Sequence, residues 1–177
     1  MEDSLMTFDL QPTLRGELLQ LRPLQAADYA ALYAVASDPL LWEQHPARTR
    51  YQEPVFQKLF QESLSSGGAL VAIDNNTGTV IGSSRFNGYT PAASEVEIGW
   101  SFLARSHWGG HYNGEMKQLM LHHAFRFVDS VIFLIGPENI RSQRAIEKIG
   151  ALRDGSRTDQ SGFESWLYRI HTRDIIG

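Results

Sequence analysis

The chain has no cysteine. That one absence removes disulfide frameworks, thiolate zinc sites and a cysteinyl nucleophile together. Runs of lysine or arginine are missing too, and 16 basic against 20 acidic residues leave a formal net charge of -4. A nucleic-acid surface needs a basic stripe to neutralise backbone phosphates, so no nucleic-acid partner is expected. The longest strongly apolar stretch, Val131 to Ile135, is far too short to span a bilayer. No basic stretch followed by an apolar one succeeds the opening Met-Glu-Asp-Ser, so the expectation is a soluble, cytoplasmic protein with no membrane partner.

What is present fits a single domain. A length of 177 residues with 42% hydrophobic content suffices for one sizeable core and is short for two. The whole of 1–177 is read as that domain, with 1–16 as an N-terminal extension. Leu18 to Leu24 reads as a strand, followed by an amphipathic helix carrying Tyr29, Leu32, Tyr33 and Ala36 at helical spacing. Pro39 and Pro46 interrupt the chain before a second helix from about Glu53 to Leu64, closed by Gly67-Gly68.

From there the hydrophobic period changes to two. Leu70 to Asp74 and Val80 to Asn87 form a hairpin about Asn75 to Gly78, and a turn near Pro91 leads into Glu95 to Phe102. Met116, Leu119, Met120, Ala124, Phe127 and Val128 then outline the buried face of a helix, which is followed by the apolar strand Val131 to Ile135. Asn139 caps another helix with Ala145, Ile146 and Ile149 inward and Gly150 at its end. Ala151 to Arg157 and Phe163 to Ile170 are the last two strands.

The most informative stretch is Trp108-Gly-Gly-His-Tyr-Asn-Gly-Glu115, a glycine-rich turn joining a strand to a helix. Such a junction presents unpaired backbone N–H groups and the positive end of the helix dipole, which makes an anion site suited to a pyrophosphate. It is not a P-loop, because Glu115 and Met116 stand where lysine and Ser/Thr are required after Gly109 and Gly114. Nor is it a dinucleotide fingerprint, since no glycines have the G-x-G-x-x-G spacing and an antiparallel hairpin precedes it.

Leu21-Arg-Pro-Leu24, Glu97-Ile-Gly-Trp100, Trp108 to Asn113, Asn139-Ile-Arg-Ser142 and Glu147-Lys-Ile-Gly150 occur in order over nearly the whole chain. On them the sequence resembles the GNAT superfamily of acetyl-CoA-dependent acetyltransferases, within the RimJ/RimL-like group. The resemblance implies an α+β fold, with a mixed, mostly antiparallel sheet of about six to seven strands and helices on both faces. It implies acetyl-CoA as acetyl donor, held by Trp108, Gly109, Gly110, His111, Tyr112, Asn113 and Gly114 at its pyrophosphate. Phe102 and Leu103 would line the pantetheine arm on one side, with Asn139 and Ser142 on the other. His111 departs from the family's usual glycine, and Asn113 stands at a small-residue position; both residue types enter the left-handed region more readily than most.

Acetyl transfer to an amine needs a neutral amine, a stabilised oxyanion and a proton for the departing thiolate. Without cysteine, direct attack in a ternary complex is the expected route, with a backbone N–H near Trp100 to Leu103 meeting the oxyanion. Strict alternation places Val96, Ile98, Trp100 and Phe102 on one face of their strand and Glu95, Glu97, Gly99 and Ser101 on the other. Glu97 is therefore the candidate general base; the alternative is a cross-strand ion pair with Arg85. Ser142 and Tyr168 are the candidate proton donors by resemblance. Alternatively, Ser142 is an ordinary first-turn hydroxyl and Tyr168 a core residue.

No metal is expected, because His107 and His111 lie in a turn and His122 and His123 point apart. Arg105, Lys117, Arg141, Arg144 and Lys148 are candidates for the adenosine 3′-phosphate, or else solvated surface charges. Trp42 either walls the acceptor pocket or covers the core. The favoured acceptor is the α-amino group of a protein or peptide, with a small-molecule amine as alternative. A non-catalytic acyl-CoA sensor or scaffold of the same fold is the competing class. Edge strands in such folds often pair, which makes a homodimer a possible assembly.

Overall fold

The computed structural model describes residues 7–175. Its strands are β1 (Leu14–Arg15), β2 (Leu19–Pro23), β3 (Ala69–Asp74), β4 (Val80–Thr90), β5 (Glu95–Leu103), β6 (Ser130–Ile135), β7 (Leu152–Thr158) and β8 (Glu164–His171). They form one sheet in the order β1-β2-β3-β4-β5-β6-β8-β7. Every neighbouring pair is antiparallel except β5 and β6. The helices are α1 (Tyr29–Ala36), α2 (Glu53–Ser66), α3 (Tyr112–Ala124) and α4 (Ile140–Lys148).

Alternation along the strands gives the sheet two buried faces. In β3, Ala69 and Val71 pack with Leu32, Phe56 and Phe60 of α1 and α2. Leu70 and Ala72 point the other way, into the cluster containing Met116 and Met120 of α3 and Ile146 of α4. Helices thus cover both faces, as expected. The sheet has eight strands instead of six or seven. The addition is the two-residue β1, too short to leave a periodic signal, inside the segment read as an extension. That segment is anchored further by Phe8, which is buried and stacks on Phe127 at 4.6 Å between ring centres. Residues 1–6 of it lie outside the described residues.

Two irregularities create the space that matters. The parallel ladder between β5 and β6 runs only from Glu95↔Ser130 to Glu97↔Ile132, although both strands continue beyond it. Past Glu97 they part. On the other edge of β5, Ser83 pairs with Phe102 but Arg85 with Gly99, so Ser84 opposes both Trp100 and Ser101. This is a β-bulge, with Trp100 at φ 51°.

The bulge overturns the expected facing of β5, because one extra residue reverses every side chain after it. Val96, Ile98 and Leu103 join the α3 side, whereas Trp100 and Phe102 pack on the α1 and α2 side. The anticipated register is corrected as well. Asn87, rather than Arg85, stands opposite Glu97, because the turn is centred beyond Pro91, with Thr90 pairing Glu95.

Candidate active site

Beside the end of β5, beyond its ladder with β6, a cavity of about 880 Å³ opens. Its wall includes Phe102, Leu103, Trp108, Gly109, Gly110, His111, Asn113, Gly114, Asn139 and Ser142. The structure therefore brings together every residue singled out for the donor's pyrophosphate and pantetheine arm except Tyr112. The Tyr112 hydroxyl instead donates to Asp74 at 3.2 Å, beside His107, whose Nε2 is 2.9 Å from the same carboxylate. Those contacts tie the first turn of α3 to the β3–β4 hairpin.

The glycine turn is built for an anion. Among the described residues, no main-chain N–H from Gly109 to Gly114 donates to a main-chain carbonyl; the first helical bond is Glu115 N–H to His111 O, at 2.9 Å. The only left-handed residue in the turn is Gly109, at φ 76°. His111 precedes the helix with φ −103° and is exposed, so neither it nor the helical Asn113 has to adopt a positive φ. A Cβ added to Gly109, Gly110 or Gly114 would meet nothing within 4 Å. The backbone here is thus unobstructed on the Cβ side, which fits a diphosphate brought close to it.

Glu115, an acid in that same first turn, also lines the cavity, where a free carboxylate would repel such a ligand. Its carboxylate instead accepts from the N–H groups of Glu17, Leu18 and Leu19 at 2.8, 2.9 and 2.9 Å. Three charge-assisted bonds clasp the β1–β2 turn to α3 and occupy the acid. Gly16 leaves the room: a Cβ there would lie 2.5 Å from the Glu115 carboxylate.

Across the cavity, Asn139 is buried and its Oδ1 accepts from Ser142 N–H at 3.4 Å, a cap of α4. The Ser142 hydroxyl has no protein partner among the described residues. Arg144 and Lys148, one turn apart on α4, also line the cavity. The Arg141 guanidinium lies 3.9 Å over the Trp108 ring, whose Nε1 donates to Leu103 O at 2.9 Å. Of the other cations considered, Arg105 is tied to Asp38. Lys117 is not at the surface at all, being 5% exposed.

The chain between α1 and α2 adds Leu41, Trp42, Gln44 and His45 to the cavity wall. Three contacts dock it on the loop after β6 and the start of α4. Gln44 Oε1 accepts from Arg141 N–H at 3.0 Å, Arg48 pairs with Glu138 at 3.0 Å, and Pro46 sits so close that a Cβ on Gly136 would be 2.6 Å from its ring. Burial pushes the His45 imidazole down to about 3, and its Nδ1 accepts from Ala47 N–H at 2.9 Å. Burial, followed by the repulsion of Arg85, lowers the nearby Arg50 to about 10. Sequence reasoning missed His45, Gln44 and Arg50. Their roles depend on where an irregular linker folds, and no local pattern encodes that.

Glu97 stands on the last rung before β5 and β6 part and does not line the cavity. Burial raises its pKa; Asn87, Arg157 and Arg85 favour the carboxylate but do not outweigh that cost. Tyr168 is buried, outside the cavity wall, and donates to Glu147 Oε1 at 3.1 Å. Burial, then that carboxylate, raises its phenol. Among the described residues, no three His, Cys, Asp or Glu side chains are grouped to hold a metal. No helix among them is long and apolar enough to cross a membrane.

The family model of the acetyltransferase (GNAT) domain matches residues 19–152. The chain is similar to the solved structure of an acetyltransferase from Agrobacterium tumefaciens, at 27% identity and TM-score 0.73 over 91% of this chain and 95% of that one. A GCN5-related N-acetyltransferase from Brucella melitensis shares the fold at 18% identity, TM-score 0.82, over 93% of this chain and 80% of that one. So does RimJ from Mycobacterium smegmatis, solved in complex with CoA-disulfide, at 18% identity and TM-score 0.68 over 94% of this chain and 89% of that one. With a family match across most of its length and a sheet split beside an amide-lined turn, this chain belongs to the GNAT family of acetyltransferases.

Proposed function

We propose that the protein transfers the acetyl group of acetyl-CoA to a primary amine, favouring the α-amino group of a protein or peptide, by direct attack in a ternary complex. One observation carries this reading: a single cavity joins the unpaired amides of 109–114 to the end of β5 at Ser101 to Leu103, beyond its ladder with β6. The turn would bind the diphosphate, and Phe102, Leu103, Asn139 and Ser142 would flank the pantetheine arm. The chain has no cysteine to carry an acyl group, which supports transfer in one step.

In this scheme the amine attacks the thioester carbonyl while the proton it sheds passes by way of water to Glu97, which stands behind the cavity wall. Burial raises the pKa of Glu97 and so brings it nearer to the amine it must deprotonate. Ser142, with its hydroxyl uncommitted, is the donor that fits the cavity better than Tyr168. Amides freed at the Trp100 bulge would face the oxyanion. The test is release of CoA thiol from acetyl-CoA against peptides with free N-termini and against small amines. Release with peptides is expected. Release with small amines alone reassigns the acceptor, and stabilisation by acetyl-CoA with no release from any amine supports a sensor instead.

A further inference from the structure

Lys117 is the one lysine of α3, and it points inward. Its residue is 5% exposed, and among the described residues no carboxylate pairs with it. A buried ammonium without a counter-ion is costly, and a core position filled by an apolar residue would avoid the cost. The groups around it are not random. The ammonium donates to Ser101 Oγ on β5, Ser101 Oγ is 2.7 Å from Ser84 Oγ on β4, and the Phe133 ring of β6 lies 5.9 Å away. None of these neighbours is charged.

Ser101 connects that buried amine to the cavity. It follows Trp100 in the bulge and lines the cavity wall, and among the β5 residues there it lies farthest along the chain from the glycine turn. An acyl donor anchored at the turn and running along β5 would carry its thioester toward this end. Because the Lys117 ammonium occupies an acceptor site of Ser101 Oγ, the serine's own proton is left for Ser84 or for the cavity.

We propose that Lys117, acting through the Ser101 hydroxyl and in place of Ser142, stabilises the departing CoA thiolate and holds the proton it takes up; this rests on the acetyl-transfer reading above. The balance is complete. The C–N bond forms, the C–S bond breaks, and its electron pair goes to sulfur. Sulfur takes the Ser101 proton, Ser101 takes one from Lys117, and the proton shed by the amine goes to Glu97. Burial alone lowers the Lys117 ammonium to about 7, so it is able to give up a proton near neutrality, which an ordinary lysine does not do. Ser101 would touch the sulfur, and Lys117 is a positioning residue behind it.

The test needs no acceptor. Free CoA product is bound to the protein, and ionisation of its thiol is followed by thiolate ultraviolet absorbance across pH. In the wild type the bound thiol ionises about one pH unit or more below free CoA. Lys117→Met and Ser101→Ala should each return it to the free value, and Ser101→Thr should keep the shift. Where a peptide acceptor is turned over, kcat falls about 100-fold in Lys117→Met with KM for acetyl-CoA within about threefold. An unshifted thiol in the wild type, or the same shift in Lys117→Met and Ser101→Ala, overturns the proposal while leaving the acetyl-transfer reading intact. Failure of the wild type to bind CoA overturns both. Misfolding is separated by thermal unfolding at acid pH, where Lys117→Met should be more stable than the wild type because it buries no ammonium.

Discussion

One end of the cavity is walled by main chain, the turn from Gly109 to Gly114, and the other by the side chains of Trp42, Gln44 and His45. The first end rests on backbone geometry and a helix terminus, both dictated by local sequence. The second exists only because a linker lacking regular pattern docks on the loop after β6 through Arg48, Gln44 and Pro46. A diphosphate is the same on every donor molecule, so a backbone cradle suffices for it. Acceptors differ, and on the acetyl-transfer reading their recognition would fall to side chains that can vary.

The comparison breaks most readily at the chemistry between the two ends. Glu97→Gln should lower kcat about 100-fold or more and abolish the rise of rate with pH that a base must show. The sign for stability is opposite. A carboxyl whose folded pKa is raised favours folding when protonated and loses that advantage as pH rises through the raised value. Glu97→Gln should therefore raise Tm at mildly alkaline pH and leave it nearly unchanged at acid pH. An unaltered rate profile would remove Glu97 from the mechanism.

At the main-chain end, Gly109→Val forces a β-branched residue into the left-handed region, at about 1–3 kcal/mol, and re-aims the amides. Affinity for acetyl-CoA should fall about 10- to 100-fold by calorimetry. Gly110→Ala, placed where a Cβ meets nothing within 4 Å, should preserve the fold. Equal affinity in Gly109→Val would show that the turn does not hold the donor.

A smaller effect is expected on α4. Replacing Arg144 and Lys148 by alanine should weaken CoA binding about three- to tenfold but leave dephospho-CoA unaffected, if the pair meets the 3′-phosphate. Equal loss with both ligands would assign the two cations elsewhere. The smallest effect belongs to the side-chain end. His45 is held near 3, so the ring is neutral through the working range, and His45→Gln should not change the pH dependence of kcat between about pH 5 and 8. A new titration there would show that the ring is charged when acceptor binds.

The same contrast explains what could be read in the sequence. Element order and the glycine turn follow from period, caps and glycine positions, all of which act over a few residues, whereas helices on both faces and the residues expected to flank the donor come from the family resemblance. The bulge at Trp100 follows from neither. It needs an extra residue on one strand only, and Val96 to Phe102 reads as unbroken alternation. Reversal of Trp100 and Phe102 followed from that, as did the inward Ser101 and its bond to Lys117. Lys117 itself was mistaken for a surface charge, because lysine on a helix ordinarily is one. Glu115 was noticed only as the wrong residue for a P-loop; its partners lie almost a hundred positions away, on Glu17, Leu18 and Leu19.

The central claim is that the amides of 109–114 hold the donor diphosphate and send the thioester along β5. Amide-resolved NMR titration with acetyl-CoA tests it directly. The largest shifts should fall on Gly109 to Gly114, with a second group on Ser101 to Leu103, and should be lost together in Gly109→Val. Shifts confined to another surface, or none at millimolar acetyl-CoA, would contradict it.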